Sequence, residues 1–191
     1  MFSTALDFLL NTVLNLLTML FLLRFFMQLF RAPFNNPLAY MVISLTDFAV
    51  KPVRRAIPSW GKVDLSTLLL ALLTQLLLQF SLVWLHGFPL SVAGQSAWIS
   101  LIGMGFLGVL RTGLDMFFYA ILIQVILSWV NPHSPITIVL NSLTRPILEP
   151  IQRILPMASG IDFSPIVALI LLQMINVSVV KTLEVQLLSF L

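Results

Sequence analysis

Arg55 and Asp64 stand nine residues apart, and the same two residue types recur at the same spacing as Arg153 and Asp162. An arginine near a membrane face gains from a planar carboxylate that accepts two parallel N–H groups. Such pairs either clamp a connector shut or present guanidinium groups to an ion or lipid headgroup. The clamp is the simpler account, because partly desolvated charges are usually paired. Lys51, Arg54, Arg55 and Lys62 form a second constellation, with Trp60 among them. It reads first as an anchor fixing orientation in a membrane, and second as a surface for anionic lipid headgroups. Nucleic acid is not an expected partner, since no domain presents a basic face.

The remaining polar residues lie inside long apolar stretches. Arg24 is close enough to the end of its stretch for its side chain to snorkel to the headgroups; an interior partner is the alternative. Gln28, Gln75, Gln124, Gln173 and Asn176 suit hydrogen bonds between helices. Arg111 and Asp115 stand at i, i+4, where pairing on a helix is natural. Gly103, Gly105 and Gly108 spell GxGxxG, but no strand precedes them, so close helix packing explains them better than a dinucleotide site. No nucleophile and base converge at a readable spacing, and His86 and His133 make no metal pair. Cysteine is absent, which removes thiolate chemistry. No catalytic residue, cofactor or metal is expected.

The elements that hold these residues must be membrane helices. Of 191 residues, 59% are hydrophobic and 9% charged, and mean hydropathy is +1.04. That is far more apolar surface than a soluble domain hides. Four stretches, at roughly 8–30, 66–86, 113–130 and 164–181, approach the ~20 residues that cross a hydrocarbon core. Backbone groups inside a bilayer have no water to bond, and these runs lack the alternation of barrel strands, so all four are predicted helical. The first apolar run is too long for a secretory leader and is expected to be a retained span. Residues 97–110 are apolar but short, and fit an interfacial or re-entrant segment.

Seven of the ten Lys and Arg residues fall in two connectors, one holding Arg31, Lys51, Arg54, Arg55 and Lys62, the other Arg145 and Arg153. The positive-inside rule puts both on the cytoplasmic side. Four spans satisfy this automatically, with both termini periplasmic, whereas a fifth crossing would expose one basic connector outside.

A gap-free shift of 98 residues aligns Pro37 with Pro135, Thr46 with Thr144, Pro52 with Pro150, Arg55 with Arg153, Pro58 with Pro156, Asp64 with Asp162, Ser66 with Ser164 and Gln75 with Gln173. Polar and proline matches in one register of so apolar a chain mark a duplication, with units at 1–90 and 91–191. Because the connectors share a side, the repeat is parallel, about an axis along the membrane normal. Pro37 and Pro135 suit the first helical position. Pro52 and Pro150 are expected to break the connector into two short helices, ended by Pro58 and Pro156. Ser66 and Ser164 suit the N-caps of the spans that follow, with Pro165 at N1 in the second copy. Gln75 and Gln173 are expected at the repeat interface.

The run Leu127-Ser128-Trp129, then Pro135, then Leu143-Thr144-Arg145-Pro146-Ile147-Leu148-Glu149-Pro150-Ile151-Gln152-Arg153-Ile154-Leu155-Pro156, then Gly160 to Pro165, resembles the signature of the YggT/YlmG family. The resemblance covers essentially the whole chain as two units. The first departs from it, with Phe30-Arg31 opposite Ser128-Trp129, Asp47 opposite Arg145, Lys51 opposite Glu149 and Thr67 opposite Pro165. It implies a bacterial inner-membrane protein, with relatives in plastids, associated with osmotic or ion stress tolerance, envelope and division roles, and assembly of membrane complexes.

The expected fold is thus an all-α membrane protein with four transmembrane helices in two parallel repeats, each with a proline-broken helical connector. The expected function is non-enzymatic, in envelope or osmotic homeostasis. A scaffold docking a membrane-protein partner, or another copy of itself, stands slightly ahead of a small ion or osmolyte channel, because ionisable residues in the spans are sparse.

Overall fold

A computed structural model of the chain describes residues 2–87, 94–155 and 162–189. Among them the order is α1 (Phe2–Leu29), α2 (Pro37–Ala56), α3 (Leu65–Leu85), α4 (Gln95–Val130), α5 (Pro135–Ile154), α6 (Ser164–Ile175), a π-helical turn (Asn176–Val180) and α7 (Lys181–Leu188). Four helical stretches are long and apolar enough to cross a bilayer: α1, α3, α4, and the unit formed by α6, the π turn and α7. Their outer faces expose residues such as Phe8, Leu73, Ile123 and Ile170. Such a surface calls for lipid as its solvent.

The duplication survives in three dimensions. α2 and α5 begin and end at residues that differ by the repeat shift, each opening on its proline after a side-chain cap. Asn36 Oδ1 accepts from Ala39 N at 2.9 Å, and Ser134 Oγ from Ile136 N at 3.4 Å. α2 and α5 meet over Ala39, Val139 and Leu143, which are buried with Met27 and Ala32. Both connectors therefore lie at the same end of the bundle, as a parallel repeat requires.

The connectors are unbroken. Pro52 lies within α2, and Pro146 and Pro150 within α5. A proline deletes one backbone donor and crowds the carbonyl four residues back. Here that loss falls on exposed faces in the last turns, while Val42, Thr46 and Val50 in α2, and Val139, Leu143 and Leu148 in α5, bury the opposite stripe. Burial of that stripe outweighs the missing bond. Pro58 follows the end of α2, whereas Pro156 lies outside the described residues.

Residues 97–110 are not a separate segment either. They form the first half of α4, which runs unbroken through the third span. At 1.5 Å per residue the helix is about 54 Å long, well beyond the ~30 Å of a hydrocarbon core.

Neither span has its serine at the N-cap: the cap of α3 is Asp64, and that of α6 is Phe163, one residue after Asp162. Asp64 is the N-cap of α3, its Oδ1 accepting from Ser66 N at 3.2 Å. Asp162 Oδ1 accepts from Ser164 N at 2.9 Å, and Pro165 stands one position later than N1. A carboxylate satisfies a free helix N–H and also complements the positive end of the dipole. Ser66 instead gives its hydroxyl to Ile57 O at 2.5 Å and ties the span to the connector. Between them, Trp60 and Val63 exchange backbone bonds of 2.9 and 3.1 Å around Gly61, whose φ of +62° favours glycine.

Candidate functional site

The repeated Thr46 and Thr144 are fully buried, and each fastens its connector to the span before it. Thr46 Oγ1 bonds Val42 O at 2.7 Å and accepts from Arg24 Nη1 at 2.7 Å. Thr144 Oγ1 bonds Leu140 O at 2.9 Å and reaches Gln124 Oε1. Arg24 does not snorkel. It is 7% exposed and pairs with Asp47 at 2.9 Å, and Lys51 closes on the other Asp47 oxygen at 2.8 Å. The second unit carries Arg145–Glu149–Arg153 instead, an exposed ladder with contacts of 3.2 and 2.8 Å. Hydrogen bonds from Arg153 and Arg145 hold the Glu149 carboxyl below the usual range.

The clamp across each turn exists, but one residue away from its expected position. Arg54, not Arg55, pairs with the buried Asp64, and it also donates to Gln28 Oε1 at 3.3 Å. In the second unit Gln152 donates to Asp162 at 2.8 Å, while Arg153 turns to Glu149. Helix geometry decides this. Residues 54 and 152 continue the inward stripe of Val50 and Leu148 at i+4, and residues 55 and 153 point outward. Chemical identity between repeats had singled out the wrong neighbour. Arg55, Lys62 and Trp60 are exposed. Removing Asp64 (Asp64→Ala) deletes a cap and an ion pair, and about 2 kcal/mol of stability is expected to go with it. Asp162→Ala, facing a neutral glutamine, costs about 1 kcal/mol; chemical unfolding in micelles checks the order.

Away from the connectors, the spans enclose a polar cleft of about 520 Å³ between α1, α3, α4 and α7. α1 offers Asn11 and Asn15, α3 Gln75 and Gln79, α4 Arg111, Thr112, Asp115 and Tyr119, and α7 Glu184. On α1, α3 and α4 these residues fall within helical reach of one another, so each of the three turns a polar stripe inward, and α7 adds Glu184. Gln75 is 1% exposed and sits at the inner end of the cleft. Its Nε2 donates toward Asn15 Oδ1 at 2.8 Å, Thr18 Oγ1 at 3.2 Å and Thr112 Oγ1 at 3.3 Å. Gly108 makes room for it, since a methyl there would overlap the Gln75 amide. Gly105 and Gly103 likewise admit Leu76 and Leu187. The GxGxxG glycines are packing devices.

Arg111 and Asp115 do not pair with each other. Arg111 Nη1 contacts Glu184 at 3.3 Å, and Asn176 Nδ2 donates to Asp115 Oδ1 at 2.8 Å. The π turn that begins at Asn176 lets one span place both Asn176 and Glu184 against α4. Toward the connectors, Phe21, Leu22, Ala71 and Met116 pack beneath the cleft and close it. At the other end lie Asp7 and His86, 3.5 Å apart. The apolar layer therefore separates the cleft from the connector end, while Phe8, Leu16 and Tyr119 of its lining are exposed on the bundle surface.

Of the duplicated glutamines, Gln75 faces the repeat interface as expected, and Gln173 does not, being exposed on α6. Asn11, Asn15, Gln79, Thr112, Tyr119 and Glu184 were not singled out by sequence. The available signal was their helical spacing within spans otherwise almost free of polar side chains.

No solved structure shows a significant match to this chain. The CCB3/YggT family model matches residues 3–85 and 104–183, one segment in each unit. The chain is 38% identical over 181 residues to "Uncharacterized protein YggT" of Escherichia coli K12, covering 94% of this chain and 92% of that one. It is 37% identical to "Uncharacterized protein PA0392" of Pseudomonas aeruginosa, covering 95% and 91%. It is 32% identical to an "Uncharacterized protein" of Haemophilus influenzae, covering 87% and 86%. With matching segments in both halves, duplicated connectors and four apolar helices, the chain belongs to the CCB3/YggT family.

Proposed function

We propose that this protein is a non-enzymatic, multi-pass protein of the bacterial inner membrane that takes a small cationic or zwitterionic solute into the cleft between α1, α3, α4 and α7, in the service of osmotic or ion homeostasis. The cleft carries the reading. Lipid-facing helices have no use for so many amides, and polar residues turned inward from four helices mark a solute path or site. One guanidinium stands against two carboxylates, Asp115 and Glu184, so the lining carries one unbalanced negative charge. In a low-dielectric surround that charge favours a cation or the ammonium end of a zwitterion. The amides of Asn11, Asn15, Gln75 and Gln79 replace water around it.

The homeostatic setting rests on what the YggT/YlmG resemblance implies. The orientation rests on the positive-inside rule, by which the basic connectors face the cytoplasm and the termini the periplasm, with the cleft in the periplasmic half. Passage then requires the Phe21, Leu22 and Met116 layer to move. The cleft reverses the order expected from sequence, where a scaffold stood ahead of a channel. Anionic headgroups at Arg55 and Lys62, beside exposed Trp60, fit the connector end as partners.

The test is binding and flux with the purified full chain in liposomes, using potassium and glycine betaine as probes. Saturable uptake of one of them is expected, reduced at least about tenfold, a 1.4 kcal/mol effect, by Asp115→Asn with Glu184→Gln. Arg153→Ala, exposed at the far end, and Asp162→Asn, half-buried beside it, are expected to leave it unchanged. Equal behaviour of empty and protein-bearing liposomes, with the protein folded by gel filtration, would sink the proposal.

A further inference from the structure

Gln173 lies well inside its span, outside the cleft, and makes no side-chain hydrogen bond among the described residues. Gln28 accepts from Arg54 and Gln124 accepts from Thr144, while Gln75 bonds inside the bundle. Gln173 lies nine residues into α6, about 14 Å from its start and so near mid-bilayer if the helix crosses upright. Its side chain is exposed there, on a groove of about 480 Å³ formed with Leu169, Ile170, Met174, Val177 and Ser178. Ser178 gives its own hydroxyl to Met174 O, which leaves the Gln173 amide as the unsatisfied polar group of that groove. An amide held in hydrocarbon without a partner is costly.

The internal repeat shows what such a face receives. α3 is sandwiched between α1 and α4, and it buries both the line through Ser66 and Thr74 and the line through Thr67, Ala71 and Gln75. α6 buries only Ser164, Ala168 and Leu172, the match of the first line, against α4 and α5. In the match of the second line, Pro165 and Leu169 are half-buried, Leu169 against the α4–α5 cluster, but Gln173 is exposed. In the first unit the glutamine of that line is held by both α1, through Asn15 and Thr18, and α4, through Thr112. Among the described residues no helix bonds the Gln173 amide.

We propose that a second copy of this protein covers the face, α6 against α6 across a twofold axis, with the two Gln173 amides bonded to each other. A primary amide holds both a donor and an acceptor, so two symmetry-related copies satisfy each other reciprocally. A single amide facing a foreign apolar helix would not gain this. Interhelical amide bonds of this kind fasten helices in bilayers. The pairing lies away from the cleft and stands or falls independently of the solute it holds.

The chain has no cysteine, so a single introduced thiol reports proximity without background. Met174→Cys, in the groove, is expected to give a disulfide-linked dimer when native membranes holding the full chain are treated with a mild oxidant. Leu73→Cys, equally exposed on α3, is expected to give none. Adding Gln173→Leu to Met174→Cys cuts the dimer about fivefold, and Gln173→Asn keeps part of it. Because Gln173 touches nothing inside the bundle, its thermal unfolding stays unchanged. The proposal is overturned by cross-linking at Met174→Cys no greater than at Leu73→Cys, by a dimer insensitive to Gln173→Leu, or by linkage to a different polypeptide in place of a second copy.

Discussion

Asp47→Ala is expected to destabilise the folded protein by about 3 kcal/mol, because it strands the buried Arg24 without its counter-charge. Arg24 keeps only Thr46 as a partner, and a hydroxyl does not balance a guanidinium held inside a span. Arg24→Leu is expected to cost less, since Asp47 is partly solvated and still has Lys51. The double substitution Arg24→Leu with Asp47→Ala should recover most of the loss, which is the mark of a coupled pair. The second unit already shows an apolar solution, with Leu122 in the place of Arg24. Unfolding midpoints of the purified chain in micelles decide the matter. An Asp47→Ala midpoint no lower than that of the exposed Arg55→Ala would remove the pair from any account of stability.

The same carboxylate sets a pH dependence. The hydrogen bond from Lys51, opposed by burial and helped by Arg24, holds Asp47 below its ordinary 3.8. A lowered folded-state value means the contribution is complete above 3.8 and is lost as the pH falls through the lower folded value. Acid unfolding of the unaltered chain should therefore show a loss in that window which Asp47→Asn abolishes.

Gly108→Ala is expected to have the largest effect on the cleft. A methyl there overlaps the Gln75 amide, with the carbon at 2.9 Å from Cδ and 3.4 Å from Cγ, so the side chain must leave its bonds to Asn15, Thr18 and Thr112. Overpacking and a lost network together cost about 2 kcal/mol. Probe binding to the cleft falls at least about tenfold, as Gln75 turns from a lining group into an obstruction. Gly103→Ala is the control, because the methyl meets only the tip of Leu187, at 2.9 Å, and a leucine end yields cheaply. Binding that survives Gly108→Ala as well as it survives Gly103→Ala would show that Gln75 has no part in holding the solute.

The sequence by itself determined the solvent, the helices and the duplication. Apolar runs of span length permit one kind of structure in a bilayer, and proline, aspartate, serine and threonine recurring in one register among leucines leave one reading of the chain's two halves. It also placed the starts of α2 and α5, because Pro37 and Pro135 are tolerated where a helix starts and little else explains them there. Where prolines fell inside helices the outcome was a balance: the lost bonds at Pro52 and Pro150 compete with burial of a stripe against a neighbour that the local sequence does not name.

Tertiary structure alone decided which polar side chains meet. Arg54 and Asp64, Arg111 and Glu184, and Asn176 and Asp115 are partners because helices rotate to bury their best stripe, and a rotation of one residue replaces Arg55 by Arg54. Gln75 and Gln173 are the same residue in the two copies, yet one is wrapped on two sides and the other on one. A repeat specifies equal helices, but not equal neighbours, and α3 buries two lines of residues where α6 buries one. Packing around α6 is where the two halves differ, and there an amide is left facing out.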